Sequence, residues 1–456
     1  MKSKSVNINL LFLLNFIFAC TAGLLSMSLT TFLLAALLTG GGLLWINVLF
    51  KDKTQRQYAG ILYLVFFLVY GCFMLITNQT YVQDPFKDIF YAKDSVLFYT
   101  YIDKIAGMNS ISEIGNYYKD DFFAGDWKGF AYLSSVLGFW AKGIDTNNLI
   151  LQKLQIVFCS AFILVILFKI LSHYIVNEIS VQLTVIYALL SYNFFFSAVY
   201  LRDVHIGLLF GLYALLLIFR KGFWGILYGI LLTVLIYLFR PEHGYFSVTF
   251  LLAYVYLFVT DKNNVTANKF KIPILVLLTL PALTQIVVLQ QGFNTIQSTS
   301  ENYYDSSMSN AGLGSFGSML LKLPFGVRHV AVGLFSQTLP FPFYAVLEEN
   351  PFFIFWALAA LFWFVVWVVL IYTSAFKPRN PFFQIKELRV LFLIAVLLIL
   401  GASSNADTRR IMAVYPVIYV IFCGGILSLP KLKRKQLIGA SLLGYFGLVF
   451  IYAFIK

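Results

Sequence analysis

The sequence predicts an all-α, polytopic integral membrane protein with about thirteen transmembrane helices, within a range of about 11 to 14. Two observations predict it. Of 456 residues, 60% are hydrophobic and only 12% charged, with a mean hydropathy of +0.83, more apolar surface than a water-soluble chain could hide. The apolar residues also fall in continuous runs of about 17–25, the length that crosses a bilayer as a helix. Alternation of the kind a β-barrel needs is not seen.

Spans are expected near 8–26, 29–50, 57–77, 148–168, 180–200, 204–219, 223–239, 244–260, 272–291, 351–373, 389–404, 410–428 and 437–455. The whole chain, 1–456, reads as a single transmembrane domain. The first span follows a basic start, MKSK, as a signal peptide would. The apolar pattern resumes at once without a small-residue cleavage site, so the segment reads as an uncleaved helix. Phe18 fits a lipoprotein motif around Cys20 poorly. Gly40, Gly41 and Gly42 in the second span suit close helix packing. Residues 78–147 and 292–350 read as the two long extracytoplasmic loops. The second contains an apolar stretch, 317–347, broken by Pro324, Pro340 and Pro342, which suits a re-entrant or interfacial hairpin.

Orientation follows from charge. With the N-terminus cytoplasmic and the C-terminus extracytoplasmic, the inner loops hold nineteen of the 33 basic residues and four of the 20 acids. That is the positive-inside pattern, and it accounts for the net +13 without nucleic acid. The expected membrane is the bacterial inner membrane, whose anionic lipids would face those loops. The four cysteines, Cys20, Cys72, Cys159 and Cys423, lie in or beside apolar runs with no C-x-x-C spacing, as small hydrophobes do.

Against this apolar background, charge gathers where the spans meet the outer side. The candidates are Arg202, Asp203 and His205 in YLRDVHIGLL; Arg240, Glu242 and His243 in LFRPEHGYF; Arg328 and His329 in LPFGVRHVAVG; and Asp407, Arg409 and Arg410 in DTRRIMAVYPV. Asp84, Asp88, Asp94 and Asp103 lie in the first long loop. Ionisable groups at membrane depth are costly and usually line a cavity. Arginine forks suit phosphate or diphosphate, and a carboxylate beside them can take a proton from a hydroxyl. Together they suggest a polyprenyl-phosphate or polyprenyl-diphosphate sugar as substrate. Asp94 is the preferred base, because Phe90, Tyr91, Phe98 and Tyr101 around it suit sugar stacking. The competing readings are arginines snorkelling as helix-end anchors, Arg202–Asp203 as a structural ion pair, and histidines that only pack.

These stretches resemble bacterial polytopic glycosyltransferases of the GT-C type and the related O-antigen and capsule polymerases. The likeness rests on KDSVLFYTYIDKIA, YLRDVHIGLL, LFRPEHGYF, LPFPF at 339–343 and DTRRIMAVYPV. It implies an inverting transfer of a sugar or oligosaccharide from a polyprenyl-(di)phosphate carrier to a glycan acceptor, at the extracytoplasmic face. Asp94, Asp203 and Glu242 would be the catalytic carboxylates. Arg202, Arg240, His243, Arg328, Arg409 and Arg410 would hold the lipid phosphate. No metal and no cofactor is expected. The partners implied are membrane lipid, a flippase and a chain-length regulator. In GT-C enzymes the catalytic aspartate usually follows the first span; here the long loop follows the third. A transporter or lipid-linked oligosaccharide flippase is the alternative, and it predicts polar groups near the bilayer midplane. An assembly scaffold would tolerate loss of the clustered charges.

Overall fold

The computed structural model describes residues 8–81, 93–120, 128–219, 222–260, 320, 322–324, 327–337, 339–342, 344, 351–376, 379–402 and 408–455. Among these residues the regular structure is entirely helical. Eight helices are long and apolar enough to cross a membrane. They coincide with eight of the expected spans: α1 (Ile8–Ser26), α2 (Leu29–Leu49), α3 (Lys53–Tyr81), α7 (Leu149–Tyr174), α12 (Pro241–Thr260), α14 (Ile354–Ala375), the stretch Arg409–Ser428, and α18 (Lys431–Ile455).

Among the described residues the count is eight where about thirteen were expected. The run 180–200 is two helices, α8 (Asn177–Leu190) and α9 (Tyr192–Phe196), because Ser191 leaves the helical path and its hydroxyl accepts from the Asn193 amide, starting a new helix. The runs at 204–219, 223–239 and 389–404 form 17-residue helices, α10 (Asp203–Phe219), α11 (Phe223–Phe239) and α15 (Lys386–Ala402). The run 272–291 lies outside the described residues. Hydropathy measures how apolar a run is and is blind to whether the helix through it is continuous.

Two compact units divide the chain. The first holds Met1–Leu208 and Asn350–Ala359, the second Leu209–Glu349 and Ala360–Lys456. In the first, α7 is the central element, mostly apolar and buried along nearly its whole length among α1, α2, α3, α6 and α8. Lipid is as apolar as leucine, so close packing and interhelical hydrogen bonds must join such helices. Gly42 receives the Tyr63 ring, whose hydroxyl donates to the Leu38 carbonyl (2.7 Å), and Gly71 receives Phe18. Gly40 and Gly41 face open space, so the glycine run serves packing at one of its three positions. Asn15 donates to the Leu64 carbonyl (3.1 Å), and Tyr70 to that of Ala188 (2.9 Å).

Within the first long loop the described residues form three helices: α4 (Lys93–Ile105), over the stretch KDSVLFYTYIDKIA, α5 (Ile111–Asp120) and α6 (Lys128–Ile144). The second unit packs α11 against α12, and sets α12, α13 (Val327–Ser336), α16 (Thr408–Ile411) and α17 (Tyr415–Ser428) against α15. Gln337 knits it: its carboxamide oxygen accepts from Trp367 Nε1 (3.0 Å) and Tyr415 Oη (2.5 Å).

Candidate functional site

In the first unit the charged stretch occupies the start of α10. Irregular chain from Ser197 leads to Arg202, whose carbonyl accepts the first helical bond, from Ile206 N (3.2 Å). Arg202 is therefore the N-cap. Arginine is a poor one: its side chain has no acceptor for the free amides, and its charge meets the positive end of the helix dipole, at a cost of about 0.3–1 kcal/mol. Yet the residue is only 8% exposed, too buried for an anchor reaching toward water. Asp203, in the first turn, is also buried and has the sign the dipole favours. The His205 ring meets Phe130 edge-on, at 5.5 Å between centroids.

A network of buried neutral side chains supports this helix start. Tyr200, two residues ahead of Arg202, packs its ring at a tilt against Phe130 (5.2 Å) and donates its hydroxyl to Gln152 Oε1 (3.3 Å). Gln152 Nε2 donates to the Ser134 carbonyl (3.0 Å) and to Asn147 Oδ1 (2.8 Å), while its Oε1 also accepts from Gln155 Nε2 (3.0 Å). Gln155 Nε2 reaches Ser134 Oγ as well (3.0 Å). Asn147 Nδ2 donates to Asp103 Oδ1 (2.9 Å), and Asp103 is ion-paired with Lys142 (3.0 Å). Nearby, Tyr118 and Ser135 share a 2.8 Å hydrogen bond, and burial holds the Tyr118 phenol up at about 12 despite it. Thus α4, α6 and α7 are fastened to the segment that delivers Arg202.

In the second unit the equivalent position is Arg240. Its amide donates to the Ile236 carbonyl (2.8 Å) and its carbonyl accepts from Gly244 N (3.0 Å), so it ends α11 and caps α12 at once. Pro241 supplies the first helical residue, where a missing N–H costs nothing. A Cβ on Gly244 would run into the Tyr237 backbone, so glycine permits the tight turn about Arg240. Arg240 is 7% exposed, and His243 is buried beside it. His243 Nε2 donates to the Arg410 carbonyl (2.9 Å); a carbonyl only accepts, so Nε2 carries the proton. The bond joins the start of α12 to α16. Glu242, Arg328 in α13, Arg409 and Arg410 are half-buried.

The sequence candidates therefore divide by unit. Arg202, Asp203 and His205 lie together in the first; Arg240, Glu242, His243, Arg328, Arg409 and Arg410 lie in the second. Asp94 lies in α4, with its side chain outside the described residues; the side chain of His329 and all of Asp84, Asp88 and Asp407 are likewise outside them. Asp103 is described and engaged with Lys142 and Asn147.

Sequence reasoning missed two features. One is the trio Gln152, Lys153 and Gln155, in LILQKLQIV at the head of α7; Lys153 is 1% exposed, with Nζ 3.4 Å from Asn78 Oδ1. Three polar residues opening an apolar run were the available signal. The other is a repeated spacing: Arg202 to His205 and Arg240 to His243 both read Arg-x-x-His, each opening an apolar helix. No protein-family model, no curated protein and no solved structure matches this chain.

Proposed function

We propose that the protein is a membrane glycosyltransferase or polymerase. It moves a sugar or oligosaccharide from a polyprenyl-(di)phosphate carrier onto a glycan acceptor, in cell-surface polysaccharide synthesis at the extracytoplasmic face of the bacterial inner membrane. The observation that carries this reading is the pair of buried N-cap arginines, Arg202 and Arg240. A guanidinium held beside the positive end of a helix is well placed to bind an anion. Phosphate or diphosphate fits the planar fork. A GT-C-like architecture belongs to the same reading.

The chemistry then follows from charge. An acceptor hydroxyl gives its proton to a carboxylate, for which Asp94, Asp203 and Glu242 are the candidates. The oxygen attacks the anomeric carbon from the face opposite the carrier, the carbon–oxygen bond to the phosphate breaks, and configuration inverts. Negative charge grows on the departing phosphate, and the cationic groups of each unit suit it: Arg202 in the first, and Arg240, Arg328, Arg409 and Arg410 with His243 in the second.

A lipid-linked oligosaccharide flippase is the second reading. The helix break at Ser191 favours it, with buried Ser160 Oγ and Asn193 Oδ1 lacking hydrogen-bond partners among the described residues. One experiment separates the two. Lipid-linked glycans are extracted from a deletion strain, identified by mass and assigned to a leaflet, with wild type, Asp94→Ala and Arg240→Ala as complements. The transferase reading expects unextended glycan in the outer leaflet, cleared by wild type and not by Arg240→Ala. Retention in the inner leaflet would establish the flippase instead.

A further inference from the structure

We infer that α6 is embedded in lipid, with its Trp140 face against acyl chains and headgroups, although the sequence assigns it to an aqueous loop. Its polarity is inverted. The face packed against protein is small and polar: Ala131, Ser134, Ser135, Gly138 and Ala141 are buried. Ser134 and Gly138 sit closest, the first accepting from Gln152 and Gln155, the second so near Ala106 and Asn147 that a Cβ would collide with them. The outward face is bulky and apolar: Tyr132, Leu133, Trp140 and Ile144 are exposed. A water-facing helix has the opposite arrangement, and α5, its neighbour in sequence, comes closer to it. There Ile114 and Tyr118 are buried and Ser112, Glu113 and Asn116 are exposed, with Ile111 and Tyr117 exposed beside them.

Charge and position point to the same surroundings. Within α6 the charged residues are Lys128 and Lys142, one at each end, with none between. Lysine at the ends, with tryptophan and tyrosine on the apolar face, is what a bilayer boundary selects. The end of α6 is also bonded to the turn where two candidate spans meet. The Asp145 carboxylate accepts from the Thr30 amide (3.1 Å) and hydroxyl (2.5 Å), and Asn148 Nδ2 donates to Thr31 Oγ1 (3.0 Å). The turn's polar members Ser28, Thr30 and Thr31 are buried, while Leu24, Met27 (91%) and Leu29 are exposed. The exposed leucines and methionine of the turn continue the apolar face of α6 up to the Asp145 end, and in water that surface would cost roughly 25 cal/mol per Å².

The test is spin-label accessibility in vesicles of phosphatidylethanolamine and phosphatidylglycerol. Single cysteines replace Leu133 or Trp140 on α6, and Ser112 or Asn116 on α5, in a background with the native cysteines removed. Collision rates are read with oxygen, which concentrates in lipid, and with a nickel chelate, which stays in water. Labels at 133 and 140 should favour oxygen several-fold over nickel, and labels at 112 and 116 should favour nickel. Nickel access at 133 and 140 equal to that at 116 would overturn the inference. Protection of 133 and 140 from both reagents would also overturn it, by showing that protein covers the face. Two positions per helix keep the test decisive where one substitution disturbs folding.

Discussion

The starts of α10 and α12 carry the same device and hold it differently. Each has a buried arginine at the N-cap, an acid within the first two helical residues, and a histidine three residues after the arginine. At α10 the arginine follows irregular chain, and side chains from α4, α6 and α7 fix that chain through Tyr200 and Gln152. At α12 the arginine sits in a one-residue joint between helices. Backbone geometry fixes it, and His243 then holds Arg410. Two unlike scaffolds delivering one unfavourable cap argue that the cap is what matters. A structural accident would have little reason to occur twice at the same spacing.

The largest expected effect tests that equivalence. Arg202→Lys and Arg240→Lys keep the charge and lose the fork. If both are phosphate ligands, each should lower sugar transfer in membrane vesicles by about 10²–10³-fold, the scale of losing one preorganised donor to a developing anion. Protein yield and melting temperature should stay near wild type. Full activity in one of the two would break the comparison and reduce that arginine to an anchor.

The next effect sharpens it. Gln152→Leu removes a hub whose four hydrogen bonds reach Ser134, Asn147, Gln155 and Tyr200. A buried polar group left unsatisfied costs about 1–3 kcal/mol, so the melting temperature in detergent should fall by several degrees. Hydrogen exchange should rise around Tyr200–Arg202 and stay unchanged around Arg240. Equal loosening around the two arginines would mean that the network is a general scaffold, with no special bearing on α10.

Much of this was legible in the sequence, and what was not has physical causes. Eight spans follow from run length alone, because a helix that must satisfy every backbone group in lipid leaves few other solutions. The charged stretches could be found for the same reason: Arg202 and Arg240 stand out against leucine and phenylalanine. Ser191 was hidden, since one hydroxyl barely alters the hydropathy of 180–200 while it redirects an amide bond. The inversion of α6 was hidden too. Its outward Leu133 and Trp140 are interleaved with inward Ser134 and Gly138, so an average over the stretch looks merely mixed. Gln152 and Gln155 could be seen, but their partners Ser134 and Asn147 are supplied by packing.

A smaller effect probes the joint at α12. His243→Phe keeps a ring near Phe210 (6.2 Å from the histidine ring) and cannot donate to the Arg410 carbonyl. His243→Gln can. The phenylalanine variant should lose about 1 kcal/mol of stability and the glutamine variant less. Phosphate dependence of any transfer activity should shift in the first and recover in the second. Identical behaviour would show that the histidine only packs.

The smallest effect is acid sensitivity, and it should fall on one side of the comparison. Asp145 precedes Asn147, the network's outer member, by two residues. Burial alone would raise its carboxyl, but hydrogen bonds from the Thr30 hydroxyl, the Thr146 and Thr30 amides and the Ser28 hydroxyl outweigh it and bring the value from 3.8 to about 2. A depressed value means that the folded state binds the proton less readily than the unfolded one. Its stabilising contribution is therefore complete above about pH 4 and fades as pH falls toward 2. Asp145 is exposed, so solvent screens much of the effect. Between pH 4 and 2, wild type should lose protection at the α2 start and the 145–148 turn faster than Asp145→Asn, which keeps an acceptor oxygen and cannot titrate. Exchange at the α12 start should be the same in both proteins. An acid response at α12 that also vanishes in Asp145→Asn would show that the two arginine caps share one support, and that their separate scaffolding is only apparent.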